Sequence, residues 1–328
     1  MSDGVPALDR HWSTILKSYR HRHKLYNGLA EARPVAKLEH ELRLHIQAVL
    51  PYWQQLSPGA SAEEVFATLM VYQLTPEAQS AYQAFIAQLA DQPEIIQAVA
   101  DAHQLSRQWL GQEAETETSV WQQALMQLLQ HHQWDGLVEQ ISDQAECEQL
   151  FALALAARSG DSSVFNRLID FEHTHPDSIF AAYWLSAQPA AYQRILAALE
   201  TPHLAQQAAT VWELLSGQTL IWAPTVGSLG GRKQVKGPQL PVIDTAQAWW
   251  QQQTSPQLPL VHGIPLAQTD LQLLLSTHCG RGAEPLWWHW QYQHRQYLPG
   301  INAGWHTERL AVLGNRQQHN EPDKRKEL

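Results

Sequence analysis

Cysteine is nearly missing. Cys147 and Cys279 are the only two in 328 residues, which excludes a disulfide-stapled scaffold and a four-cysteine zinc site. No stretch reaches the roughly 18 consecutive apolar residues of a membrane-spanning helix. Residues 1–10 hold no apolar segment of the kind that leads a secreted chain. These absences lead us to expect a cytoplasmic protein without membrane contact. Alternating β-branched runs are rare, which argues against a sandwich or barrel. No Gly-x-Ser-x-Gly elbow occurs, so one common nucleophile arrangement is absent. Charged residues make up only 16% of the chain, against about a quarter in an ordinary globular protein. The distribution of those few charges therefore carries more information than their number.

The net charge is −10, and it is concentrated. Residues 61–220 hold 20 acidic and 4 basic residues, while residues 1–60 and 221–328 are each +3. A middle part at −16 repels phosphates, so nucleic acid is not expected as a direct ligand. It would instead draw a basic protein surface.

Hydrophobic spacing reads as helix almost throughout. Trp12, Ile15, Leu16 and Tyr19 recur at helical intervals, and the run Arg20-His21-Arg22-His23-Lys24 places positive charge where a helix C-terminus favours it. Leu38, Leu42, His45, Ile46 and Val49 share one helix face between Pro34 and Pro51. Ser61 and Glu64 form a capping-box pattern ahead of Val65, Phe66, Leu69 and Met70. Thr75-Pro76-Glu77 ends one helix and starts the next, and residues 91–94 repeat that device. Further helices are expected at 119–129, 146–158, 162–172, 177–186, 190–199 and 204–215. Breaks every 15–20 residues predict an all-α fold of degenerate, HEAT-like helical repeats, an α-solenoid. A compact bundle is the alternative. The expected divisions are an N-terminal helical segment, 1–60; the acidic body, 61–220; a smaller, mostly helical Trp-rich part, 221–313; and a disordered tail, 314–328.

The third part opens differently. Residues 222–243 are rich in Gly and Pro and predict a long, mobile basic loop carrying Arg232, Lys233 and Lys236. Gly227–Lys233 has glycines like those of a phosphate loop, but Gln234 stands where Ser or Thr would follow the lysine. Short helices are expected at 245–252, from Thr269-Asp270 onward, and at 284–293. Trp287-Trp288-His289-Trp290 has aromatics on more than one helix face. That pattern fits burial between layers or an exposed binding patch.

Seventeen histidines raise the question of a metal. His40-Glu41 with His45 resembles a zincin helix, but five residues rather than four separate the histidines, about 140° around a helix. No metal or cofactor is expected. Cys147 follows Glu146, which disfavours a thiolate, and Cys279 lies near Arg281. No catalytic residue is assigned.

The order of features is similar to a bacterial family. It runs from residues 38–46 (LEHELRLHI) through Glu63-Glu64-Val65-Phe66-Ala67 to the Ala-rich segments 152–157 and 205–209. It continues with Leu240-Pro241-Val242, Ala246-Gln247-Ala248-Trp249-Trp250 and His262-Gly263-Ile264-Pro265-Leu266. The chain resembles the HEAT-repeat-like proteins found in type VI secretion gene neighbourhoods, over most of residues 35–313. The resemblance implies a non-enzymatic helical-repeat protein that binds a protein partner, a type VI effector or adaptor. Its first reading is an immunity protein that covers the basic face of a toxin. Its second is an accessory protein or chaperone for effector loading. The candidate contact residues are Glu113, Glu115 and Glu117, then Asp143, Glu146 and Glu148, the basic Arg232, Lys233 and Lys236, and Trp287, Trp288 and Trp290.

Overall fold

The structure is a computed structural model. It describes residues 5–89, 92, 95–111, 125, 146–158, 162–229, 233–253, 256–296, 298 and 301–314. The fold is mostly helical. In chain order the α-helices are α1 (Val5–Tyr26), α2 (Ala32–Val49), α3 (Ala62–Leu74), α4 (Gln79–Leu89), α5 (Ile96–Trp109), α6 (Glu146–Arg158), α7 (Ser162–Phe171), α8 (Ile179–Ser186), α9 (Pro189–Ala198), α10 (Ala205–Ser216), α11 (Asp244–Gln252), α12 (Leu271–Thr277), α13 (Glu284–His294) and α14 (His306–Gly314). The strands are β1 (Ala30–Glu31), β2 (Trp222–Leu229), β3 (Lys233–Pro241), β4 (Leu260–Val261), β5 (Ile264–Pro265) and β6 (His278–Cys279), paired antiparallel as β1–β6, β2–β3 and β4–β5.

Contacts divide the chain into two compact units. The first is Met1–Glu117 with Ser276–Gly280 and Pro299–Leu328; the second is Thr118–Leu275 with Arg281–Leu298. This differs from the division expected from charge. Residue 60 falls inside the first unit because α1 and α2 bury their apolar faces against α3. The C-terminal part is shared between the units rather than forming one of its own.

In the first unit, α3 is the central element. Its start is set locally: Ser61 Oγ accepts from the Glu64 amide at 3.3 Å and the Glu64 carboxylate accepts from the Ser61 amide at 3.2 Å, a closed capping box. Every residue from Val65 to Tyr72 is buried. An all-round apolar helix needs neighbours on all sides, and α3 packs against α1, α2, α4 and α5. Tyr19 of α1 stacks on Phe66 with ring centres 3.8 Å apart.

The second unit repeats the device with α8, all eight residues of which are buried. It packs against α6, α7, α9 and α10 and against α13, about a hundred residues further on. Trp184 Nε1 donates to the Leu260 carbonyl at 2.8 Å, fixing α8 to β4. The turn after β4 closes α10: the amides of His262 and Gly263 donate to the Leu214 and Leu215 carbonyls at 2.8 and 2.9 Å. Those are two of the carbonyls a helix end leaves open.

Residues 222–229 and 233–241 correct an expectation. They form the antiparallel β2–β3 pair, not a loop, with a register shift between Pro224 and Val226. Pro and Gly argued for irregular chain, but in a two-stranded sheet both strands are edges. Each has a backbone side that needs no ladder partner, so Pro224, Pro238 and Pro241 are tolerated. Strand followed by strand is also not the strand–loop–helix of a phosphate loop.

The β1–β6 pair turns sharply at Gly280, whose φ is +84°. A Cβ there would meet the Gly28 carbonyl, and the Tyr26 carbonyl at 3.1 Å. Gly280→Ala adds left-handed strain to backbone overlap that no side-chain rotation relieves. It should destabilise the first unit by about 2–4 kcal/mol; urea unfolding checks this, and a loss under 1 kcal/mol would contradict it.

Candidate functional site

Two polar clusters stand out, one in each unit. In the first, α1 brings Arg22 and Tyr26, α2 brings Glu39, and the C-terminal segment brings His306 and Arg309. Arg22 is 2% exposed, Glu39 3% and Arg309 1%. Arg22 Nε donates to Glu39 Oε1 at 2.8 Å, and its Nη2 donates to the Ala303 carbonyl at 2.7 Å. Tyr26 donates to Glu39 Oε1 at 2.8 Å, and the His306 amide donates to Glu39 Oε2 at 2.7 Å. Arg309 donates to the Tyr26 hydroxyl and to His306 Nδ1. An arginine only donates, so His306 Nδ1 accepts from Arg309 and the ring is neutral; burial and Arg309 hold its pKa below the ordinary histidine value.

Asp101 supports the same cluster from α5. It accepts from the Tyr19 hydroxyl at 2.8 Å and from Gln97 at 2.7 Å. Burial, and then Asp101, push the Tyr19 hydroxyl well above the usual phenol range. Two buried guanidinium groups thus stand beside two buried carboxylates. Cys279 lies at the edge, fully buried, and burial pushes its thiol pKa up. It is a poor nucleophile for that reason.

In the second unit, Arg158 ends α6 and donates from Nη1 to His289 Nδ1 of α13 at 3.1 Å. Its guanidinium lies 5.0 Å from the centre of the Tyr292 ring. Burial, then the Arg158 charge, lower the His289 pKa to about 3. A separate pair, Arg194 and Glu172, closes at 2.6 Å, with the Tyr183 hydroxyl donating to the same carboxylate at 2.8 Å.

The expected contact residues are scattered rather than gathered. Glu113, Glu115, Glu117, Asp143 and Arg232 lie outside the described residues. Glu146 opens α6, and Glu148 is half-buried one turn in. Lys233 opens β3 opposite Leu229, and Lys236 pairs with Val226. Trp287, Trp288 and Trp290 are 0%, 6% and 3% exposed, which corrects the reading of a surface patch: they are core. Trp287 and Trp290 meet edge-on at 5.9 Å, and Phe151 meets Trp288 at 5.5 Å. Eight of the eleven residues of α13, the three tryptophans among them, are buried.

His40 is exposed, while His45 pairs with His11 across α1 and α2, Nδ1 to Nδ1 at 2.8 Å. Among the described residues no group of three or more His, Cys, Asp or Glu is placed to hold a metal, and no helix is long and apolar enough to cross a membrane. Sequence reasoning missed both buried clusters. Their local signals were the spacings of Arg22 and Tyr26, four apart, and of His289 and Tyr292, three apart, each pair on one helix face. Their partners lie elsewhere in the chain.

No protein-family model, no curated protein and no solved structure matches this chain. Its function has to be argued from its own residues.

Proposed function

We propose that this chain is a partner-binding protein of a type VI secretion locus, an immunity protein whose acidic, helical-repeat middle part covers the basic face of a cognate toxin. What supports the reading is the charge of residues 61–220, 20 acidic against 4 basic, and where those charges sit. The described carboxylates buried there, Asp101 and Glu172, are held by internal partners. Glu77, Asp170 and Glu200 face solvent. Of the four cations, Arg194 is neutralised by Glu172. Negative charge carried at the surface steers a basic partner and speeds encounter.

Co-expression with the product of each adjacent gene tests the proposal. One neighbour should be toxic alone, be neutralised by this chain and co-purify with it. Replacing Glu113, Glu115 and Glu117 together by Gln should leave the melting temperature unchanged, slow association and flatten its salt dependence. A toxic neighbour that is neither neutralised nor bound would overturn the proposal.

A further inference from the structure

We propose that Arg158, with His289 beneath it and Tyr292 beside it, is a receptor for an oxyanion, the carboxylate or phosphate group of a ligand. This goes beyond partner binding by the acidic surface, since it asks for a ligand of the opposite charge.

Arg158 differs from two other arginines removed from water, Arg22 and Arg194. Arg22 has the Glu39 carboxylate at 2.8 Å, and Arg194 has Glu172 at 2.6 Å. Arg158 is half-buried as Arg194 is, yet among the described residues no carboxylate lies within ion-pair distance of it. Its only hydrogen-bond partner among them is His289 Nδ1. A guanidinium carries five N–H donors in a planar fork, so among the described residues most of the fork is uncommitted.

His289 does not supply the missing charge. Its Nδ1 accepts from Arg158, so the neutral ring keeps its proton on Nε2 and presents a second donor. It is 5% exposed and sits between Trp184 and Tyr292, with ring centres 6.2 Å away on both sides. Two weaker sources of negative potential remain. The carbonyl end of α6 is a partial charge, and the Tyr292 face is a quadrupole. Each offsets part of the cost of taking a guanidinium out of water, and neither replaces a full counter-charge. Burial accordingly pulls the Arg158 pKa down, against the two tyrosines that raise it.

The neighbouring residues are buried and hydrogen-bonded. Ala157, before Arg158, is 1% exposed, and the Gln188 amide donates to its carbonyl at 2.8 Å. Tyr192 is fully buried and donates to the Trp184 carbonyl at 3.1 Å. A guanidinium with one face on an aromatic ring and, among the described residues, free donors and no protein anion is suited to accept a planar or tetrahedral oxyanion through two parallel N–H bonds.

The test is calorimetric titration of the full chain with sodium phosphate and, separately, with sodium acetate, at pH 7.5 and constant ionic strength. Saturable binding of at least one probe is expected. Acetate alone would identify a carboxylate ligand, and phosphate alone a phosphoryl ligand. Arg158→Gln should weaken binding at least tenfold. Arg158→Lys, which keeps the charge but not the fork, should weaken it about fivefold. Arg167→Gln, an exposed arginine of the same unit, should bind as wild type. The proposal fails if neither probe saturates, if Arg158→Gln binds like wild type, or if Arg167→Gln loses binding equally. Should Arg158→Gln not fold, Arg158→Lys decides: wild-type affinity in that variant overturns the fork geometry.

Discussion

Glu39→Ala is expected to cost about 3–5 kcal/mol of folding stability, the range for removing one partner of a buried ion pair. The carboxylate accepts from Arg22 Nε, from the Tyr26 hydroxyl and from the His306 amide, and all three donors are buried with it. Alanine leaves those donors without an acceptor and leaves Arg22 and Arg309 with one buried carboxylate, Asp101, instead of two. Glu39→Gln keeps the shape but fails for a different reason. One side-chain oxygen becomes an amide nitrogen, and it meets a donor on either side. Its cost should approach that of alanine. Replacing both charges together, Arg22→Met with Glu39→Leu, should recover part of the loss, because no buried charge is then unpaired. Urea unfolding followed by tryptophan fluorescence reads the effect, since Trp305 lies 5.9 Å from the Arg22 guanidinium. A loss below about 1 kcal/mol in the alanine variant would show that the cluster is more hydrated than its burial implies.

Acidification from pH 7.5 to 5.0 is expected to destabilise the protein, with His289 the largest single contributor. Its pKa in the fold is about 3, lowered by burial and by Arg158, against about 6.5 unfolded. The unfolded chain therefore takes up a proton near pH 6.5 that the folded chain refuses. Stability from this group is complete above pH 6.5 and falls by about 1.4 kcal/mol per pH unit down to the folded pKa. That is about 2 kcal/mol at pH 5. His45, His103 and His306 are lowered too, all by burial first, and act in the same direction. Glu213, a carboxyl raised by burial, works in the opposite sense. Melting temperatures of wild type and His289→Gln across this range separate the terms. Gln still accepts from Arg158 but does not titrate, so its curve should be flatter than wild type by the His289 share. Parallel curves would mean that His289 titrates in the fold as it does in the unfolded chain.

The two outcomes depend on residues that look unlike functional residues in the sequence. Arg22 reads as one member of a positive run at a helix end, and Glu39 as one letter of a helical motif. His289 reads as an interruption in a row of tryptophans. Each acquires its role from a residue far away: Ala303 and Gly304 for Arg22, His306 for Glu39, Arg158 for His289. No periodicity or spacing encodes those meetings.

What the sequence determined by itself is local. The Ser61–Glu64 capping box starts α3, and Pro76 separates α3 from α4. Such features rest on hydrogen bonds within one helical turn, so a few consecutive residues suffice to fix them. Tertiary structure decided everything that requires a second segment. It paired residues 222–229 with 233–241 despite their prolines, because edge strands tolerate a missing donor. It also buried the tryptophans of α13. It set Arg22 and Arg309 against Glu39 and Asp101, and left Arg158 with a neutral histidine. Burial and charge pairing depend on which helix faces meet, and side-chain desolvation is set only when they do.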